Sequence, residues 1–451
     1  MTAKAFILIK GELVQDTAGS FGGNGDDNWV DDMLCRDGQG RYTLRGESLA
    51  GALSATARQL FSELPKEIGD KSSRQPSAWR VFTSHPAEGI QSSVRQNVCI
   101  DKQTGAAMDG ALFDTETLPA GTRWPFILEI DLTRAGDNVE KLLAVTLHAL
   151  SAWVQGRCWI GRNVARGTGW FSLENIKITH ADWEQWPNSS ECNIDAYYEQ
   201  SFPETQSLVD FMDEYAGKIK PDADWLWQEY QLTIRVDVPE NDAYGIDFLS
   251  VGGHSGDALM LDIQEDLVNK EKLALPQASL NDSVCQNWVA DQVFSYLRNT
   301  DGNIQPYIAG ASLRGVLRHG AEWWANKHNI ILDDLDTLFG TLENSARLLI
   351  SDVHISDANW QALLLKMHAE DEFSGGVYAS ALFDRLVLSQ ACFTGKLLIE
   401  AKQEDMQLLE KSIQPALELA KLGFLGLGGQ SARGMGHLKW DIQRIPSTGE
   451  A

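Results

Sequence analysis

The sequence predicts an α+β chain of two tandem ferredoxin-like (RRM-like) domains, each with the order β-α-β-β-α-β, and three observations lead there. At 451 residues the chain exceeds a single ordinary core, because domains run to roughly 100–200 residues. Short motifs recur in the same order along its two halves. Each half also repeats one succession of period-two and helical apolar patterns. Hydrophobic residues make up 43% of the chain, with 15 Trp and 16 Phe, which is enough for two packed cores.

The repeat comes first because a duplication fixes organisation more firmly than propensity does. Ser20-Phe-Gly-Gly-Asn-Gly-Asp26 returns as Ser250-Val-Gly-Gly-His-Ser-Gly-Asp257, and Asn28-Trp-Val-Asp-Asp32 as Asn287-Trp-Val-Ala-Asp291. Gly46-Glu-Ser-Leu-Ala-Gly51 answers to Gly310-Ala-Ser-Leu-Arg-Gly315, Ala111-Leu-Phe-Asp114 to Ala381-Leu-Phe-Asp384, and Ala165-Arg-Gly-Thr-Gly169 to Ala432-Arg-Gly-Met-Gly436. The last three pairs are offset by 264, 270 and 267 residues, so the halves differ by small insertions and keep one plan. Residues 1–180 and 231–451 are the expected modules. The intervening 181–230 carries 12 Asp or Glu against Lys218 and Lys220, and reads as an acidic connector whose aromatics, among them Tyr197, Tyr198, Trp225 and Trp227, dock on a domain or a partner.

Residues 5–14 alternate as a half-buried strand, and 48–62 read as a helix whose Ser48 suits an N-cap. Trp124, Phe126, Leu128, Ile130 and Leu132 share one face of a strand, 138–155 has helical spacing, and a Gly-rich turn at 161–169 leads to a closing strand over 170–178. The second half offers strand 231–238, helix 312–328, strand 393–401, helix 403–422, Gly turn 426–436 and strand 437–444. Helices then cover one face of an antiparallel sheet and leave the other to a ligand.

No stretch approaches the roughly 18 apolar residues of a membrane span, and the N-terminus lacks the apolar block of a signal peptide, so the expectation is a cytoplasmic protein without a membrane partner. The net charge of −25 argues against indiscriminate nucleic-acid binding, which confines any such site to a local basic track. Cys35, Cys99, Cys158, Cys192, Cys285 and Cys392 stand at no zinc or redox spacing and read as buried thiols. His85, His148, His254 and His437 share no placement between the halves, which favours incidental histidines over a catalytic one.

Two motif pairs carry chemistry. The turns Ile160–Gly169 and Leu425–Gly436 join a helix to a last strand. Gly161, Gly167, Gly428 and Gly429 allow close approach of a phosphate to backbone amides, while Arg162, Arg166 and Arg433 supply charge. A plain helix-to-strand connection is the alternative, and it accounts less well for the same arginine in two copies. The helix starts carry Ser48 and Ser312 with Arg45, Arg58, Arg314 and Arg318 nearby, and a helix N-terminus seats phosphate through its orphan amides. Capping alone accounts for the serines but not for the arginines.

Gly46–Gly51 and Gly310–Gly315 resemble the Gly-Ser-Ser-Leu-Lys-Gly helix start of the RAMP superfamily, the repeat-associated backbone proteins of type III CRISPR complexes. The stretch Arg95–Thr122 is similar to the arm that follows in those proteins, Leu338-Phe-Gly-Thr341 with Arg347–Asp352 resembles another family segment, and both Gly turns fit the family's C-terminal turn. The resemblance covers most of both halves and leaves the connector unmatched; fused double backbone subunits are most similar to type III-D systems. It implies inserted arm hairpins, other effector-complex subunits as partners, and a guide RNA gripped by Arg45, Ser48, Arg58, Arg95, Arg162 and Arg166 in one half and by Ser312, Arg314, Arg318 and Arg433 in the other. The arm would wedge into the duplex of guide and complementary target RNA.

The same resemblance implies a target-cutting aspartate in the loop after the first strand. Matching Arg36-Asp37 to the family's Arg-Asp pair puts it at Asp31, whereas the internal repeat pairs Asp32 with Asp291 and leaves Asp31 opposite Ala290; Asp32 and Asp291 are the favoured pair, with Asp31 next. Asp26 and Asp27 stay open, and a hydrophilic turn without chemistry is the plain alternative. Such a carboxylate assists deprotonation of a ribose 2′-hydroxyl or holds a divalent ion, Mg2+ being the expected one, which would make the chain a metal-dependent endoribonuclease within its complex. A non-catalytic RNA-binding subunit and a guide-processing endoribonuclease are the alternatives.

Overall fold

A computed structural model of the chain describes residues 5–23, 30–69, 76–101, 107–182, 206–217, 219–236, 248–250, 252, 267, 270, 272–274, 290–329, 333–341, 343–356, 358–370, 373–374, 376–431 and 434–446. The chain divides into two compact units: Met1–Arg95 with Phe113–Val164 and Thr168–Trp225, and Gln96–Leu112 with Ala165–Gly167 and Leu226–Ala451. Both are mixed α+β with antiparallel ferredoxin-like sheets.

The first half of the chain runs through β1 (Ala5–Gln15), α1 (Gly46–Leu60), β2 (Trp79–Val81), the hairpin of β3 (Ser93–Ile100) and β4 (Ala107–Thr117), whose outer part Gln96–Leu112 is grouped with the second unit, then β5 (Arg123–Asp131), α2 (Leu132–Ala135), α3 (Val139–Val154), β6 (Cys158–Trp159) and β7 (Trp170–Asp182). The sheet order is β2-β5-β1-β7-β6, the order expected when each helix crosses back over the sheet. β1 is central, pairing antiparallel with β5 from Phe6↔Asp131 to Val14↔Arg123 and with β7 from Ala5↔Asp182 to Gln15↔Phe171.

Period-two burial puts Trp124, Phe126, Leu128 and Ile130 of β5 beneath the helices. Leu49, Leu53, Ala57 and Leu60 recur at helical spacing along α1 and meet α3 there. Burying side chains of this size contributes about 1.5–3 kcal/mol each. The buried indoles also find acceptors, Trp153 donating to Thr56 Oγ1 at 3.0 Å and Trp79 to Thr146 Oγ1 at 2.9 Å. Beyond β7 the acidic stretch contributes α4 (Leu208–Tyr215), whose Ser207 caps it by accepting from the Asp210 amide and whose buried Phe211 packs against His180.

The second unit repeats the plan with β8 (Trp225–Val236), α5 (Gly310–His328), β12 (Leu348–Ile350), β15 (Val377–Lys402), α7 (Gln403–Lys421) and β16 (Trp440–Ile445), and adds the short strands β9 (Leu273–Ala274), β10 (Tyr296–Arg298), β11 (Ile304–Ile308) and β13 (Val353–Ile355). Its core sheet reads β12-β15-β8-β16, the same order as β2-β5-β1-β7. β15 is 26 residues long; its later part belongs to the core sheet and its earlier part forms an arm with β14 (Gln361–Glu370). A short helix, α6 (Asp333–Phe339), packs on α7. No helix among the described residues is long and apolar enough to cross a membrane.

Several elements differ from expectation. Both first helices begin two residues early, at Gly46 and Gly310, with Arg45 and Ala309 in the cap positions and no side-chain cap, so Ser48 and Ser312 sit inside the first turn. The reason is steric: a methyl group on Gly46 would overlap the carbonyl oxygen of Val81, and one on Gly310 that of Ile350. Glycine is what lets each helix start abut the edge of the second strand. The closing strand of the β5 pattern stops at Asp131, whose carboxylate accepts from the Thr133 amide at 2.9 Å and turns Leu132 out of the strand. β8 begins at Trp225, six residues before the expected strand and inside the acidic stretch.

Candidate nucleic-acid interface

The two Gly turns superpose residue on residue. Ile160 N donates to Gly169 O at 2.9 Å and Leu427 N to Gly436 O at 2.9 Å; Arg162 N donates to Ser20 O at 3.1 Å and Gly429 N to Ser250 O at 2.7 Å. Asn163 and Gln430 both adopt left-handed φ, 58° and 63°, as do Gly161 and Gly428. Gly169 and Gly436 have φ of 74° and 73°, and a side chain on either would overlap the carbonyl of Ile160 or Leu427. The counterpart of Arg162 is thus Gly429, and Arg385 Nη1 lies 3.2 Å from where a Gly429 side chain would begin.

Arg162 is half exposed and ion-paired with Asp32, while Arg166 is exposed. Gly167 is buried: its carbonyl accepts from the Asp352 amide at 3.1 Å within the second unit, so this glycine serves packing there. Arg433 lies outside the described residues, as do Asp26 and Asp27.

Along α1, Ser48, Gly51, Ala55 and Arg58 follow helical spacing and are all exposed, forming one face beside the uncapped helix start. In α5 the corresponding positions are Ser312, Gly315, His319 and Glu322. Gly51 and Gly315 have nothing within 4 Å of a side-chain position among the described residues, so no described neighbour requires glycine at either place. Arg45 donates to Cys35 Sγ at 3.2 Å and stands 3.6 Å from Glu47.

Other arginines are committed internally. Arg314 donates to the carbonyls of Ala165, Leu348 and Phe339, and burial together with repulsion from Arg166 and Arg318 brings it down to about 10. Arg318 bridges Glu322 at 2.8 Å and Asp336 at 2.9 Å over the Phe339 ring. Arg95 is 4% exposed, at the base of the arm. The apolar face of that arm is the exposed one: Val94, Val98, Ile100, Met108 and Leu112 all stand out from it.

The loop aspartates correct the sequence register by one residue. The Asp114 amide donates to Asp31 Oδ2 at 2.8 Å, and the Asp384 amide to Asp291 Oδ2 at 2.7 Å. Next to them, Asp32 forms a parallel bridge with Thr115, and Gln292 one with Arg385. Asp31 therefore corresponds to Asp291, and Asp32 to Gln292; the Asp32–Asp291 pairing taken from Asn-Trp-Val is off by one because the bridge, and not the tripeptide, sets the register. Asp32 spends its carboxylate on Arg162, a pair that Gln292 and Gly429 do not reproduce.

Glu116 organises the loop: 6% exposed, it accepts from the Leu34 amide at 3.0 Å, from Arg36 at 2.5 Å and from Ser92 Oγ at 2.7 Å. Sequence reasoning missed it, since a Glu in a strand carries no positional signal. Asp114 and Asp384 stood in a repeated motif, which was the available clue.

Among the described residues no group of three or more His, Cys, Asp or Glu could hold a metal ion. His85, His148 and His437 each sit within hydrogen-bond reach of a backbone carbonyl, of Tyr42, Ile219 and Ser431 respectively, and His254 lies outside the described residues. Cys35 and Cys158 are buried, and burial pushes the Cys158 thiol up, with Asp16 adding to it. Cys99, expected to be buried, is exposed because it lies on the arm.

Comparison with protein families gives one result: the model of the RAMP superfamily matches residues 20–172 and 296–439. A comparison with curated proteins finds no match.

Proposed function

We propose, of a chain that belongs to the RAMP superfamily and is thereby a CRISPR-associated RNA-binding subunit of a multi-subunit complex, that it holds the guide RNA of a type III, III-D-like effector and cuts complementary target RNA. The observation that carries the guide-holding part is the pair Gly51 and Gly315. Glycine in a helix interior costs about 1 kcal/mol relative to alanine, and no contact among the described residues offsets it here. A phosphodiester backbone passing close over the helix start accounts for both copies, with Arg45, Ser48 and Arg58 on or beside the first helix, and Ser312 on the second with Arg166, whose carbonyl lies against Gly310.

Cutting rests on the equivalence of Asp31 and Asp291, the acids held alike in both units. Asp31 accepts the proton of a ribose 2′-hydroxyl, whose oxygen bonds to the adjacent phosphorus as the bond to the 5′-oxygen breaks. The products are a 2′,3′-cyclic phosphate and a 5′-hydroxyl that takes its proton from water. The residues fit a divalent ion brought with the substrate: Asp31 lies beside Asp114, whose Oδ1 is buried without a hydrogen-bond partner among the described residues, and Mg2+ is commonly held by one or two carboxylates plus phosphate oxygens. Such an ion would neutralise charge developing on the phosphate. Asp32, neutralised by Arg162, would hold the loop against the Gly turn.

The test is cleavage of complementary RNA by the assembled complex with Asp31→Ala, Asp291→Ala and Asp32→Ala. Each of the first two should abolish one set of cuts while leaving guide binding intact. Unchanged cutting in both would remove the nuclease and leave a guide-holding subunit.

A further inference from the structure

In both units the aspartate expected to do the chemistry is held not by its own loop but by the return strand of the arm. The Asp114 amide in β4 and the Asp384 amide in β15 point at carboxylate oxygens of Asp31 and Asp291, at 2.8 and 2.7 Å. Parallel bridges flank them: Asp32 N donates to Asp114 O at 3.1 Å and Glu116 N to Asp32 O at 2.8 Å, while Gln292 N donates to Asp384 O at 3.2 Å and Leu386 N to Gln292 O at 2.8 Å. An amide that donates to a carboxylate does not serve the sheet ladder, so this geometry is additional to what the strands need for folding. Its recurrence, with the neighbouring side chains changed from Asp32, Thr115 and Glu116 to Gln292, Arg385 and Leu386, marks the amide–carboxylate contact as the retained part.

We propose that Asp114 and Asp384 are positioning residues whose backbone amides aim the Asp31 and Asp291 carboxylates, making each arm the element that sets its acid in place. The amide occupies one oxygen and one lone pair, which fixes the rotation of the carboxylate and presents the other oxygen to the substrate. Because the donor belongs to the arm, an arm displaced by bound nucleic acid carries the acid with it. The inference rests on the cleavage reading above for its consequence, but not for its contact.

Two measurements separate these. In the assembled complex, Asp114→Pro deletes the amide, whereas Asp114→Ala keeps it and removes only the carboxylate. Both variants lack the carboxylate, so the difference between them reads the amide alone: kcat at the cuts of the first module should be about 100-fold lower in the proline variant than in Asp114→Ala, with KM the same in the two, as expected for a misplaced reacting group. Asp384→Pro should do the same to the other cuts alone. Equal losses from proline and alanine, or a loss confined to KM, would overturn the proposal. Independently, hydrogen exchange of the Asp114 amide should accelerate in Asp31→Ala and not in Asp32→Ala. This readout decides the contact even if no RNA is cut or proline prevents assembly; exchange indifferent to Asp31 overturns it.

Discussion

At the scale of single residues, arginines that look alike in the sequence divide by what their donors reach. Arg314 serves three carbonyls and Arg58 serves none of the described partners, so their alanine variants should behave oppositely. Arg314→Ala strands buried acceptors, each worth about 1–3 kcal/mol, and should lower the unfolding temperature. Arg58→Ala should leave that temperature in place and weaken guide binding. Thermal unfolding and a binding isotherm on the same samples check both. Asp37 offers a pH test: desolvation works to raise its carboxyl, and the amide and guanidinium of Arg41 with the Gln39 amide together outweigh it, holding it down to about 2. A depressed carboxyl adds stability that is present above the ordinary value of 3.8 and is lost as pH falls through about 2, so the Asp37 carboxyl resonance should titrate near 2 and the turn loosen below it.

Among elements, glycines of one motif carry opposite predictions. Gly436→Ala places a side chain against the Leu427 carbonyl at a left-handed φ, so it should destabilise the second unit by about 1–3 kcal/mol in denaturant unfolding. Gly51→Ala and Gly315→Ala enter open space in helical backbone and should stabilise by up to about 1 kcal/mol each, while weakening guide binding. A neutral effect of both on RNA would remove the main support for the helix-start contact. The long elements were legible in the sequence because their apolar periods are strong: β5 alternates without interruption and α3 is apolar along most of its length. β2 and β12, three residues each, carry too little pattern to be read, and they are defined only by the partners that pair with them. The aspartate register failed for a related reason, since one-residue bridges to an arm leave no trace in spacing.

For the whole molecule, the charge of −25 must coexist with RNA binding. The described cations help to explain how: many are consumed by internal pairs such as Arg123 with Glu12 and Glu174, and few, such as Arg58 and Arg166, stand exposed beside the repeated motifs. Guide affinity should therefore fall only moderately with salt, and each of Arg58→Ala and Arg166→Ala should reduce the slope of log K against log salt by about 0.7, the increment for one phosphate contact to a single strand. The duplication, plain in the sequence, is also the property on which the account turns: two like modules taking successive stretches of one strand. Photo-crosslinking from a probe at Ala55 and, separately, at His319, the exposed counterparts on the two first helices, in the complex with its guide tests this most directly. The account predicts that each probe marks the guide at its own position, a fixed number of nucleotides from the other; crosslinks from only one of the two, or from neither, would contradict it.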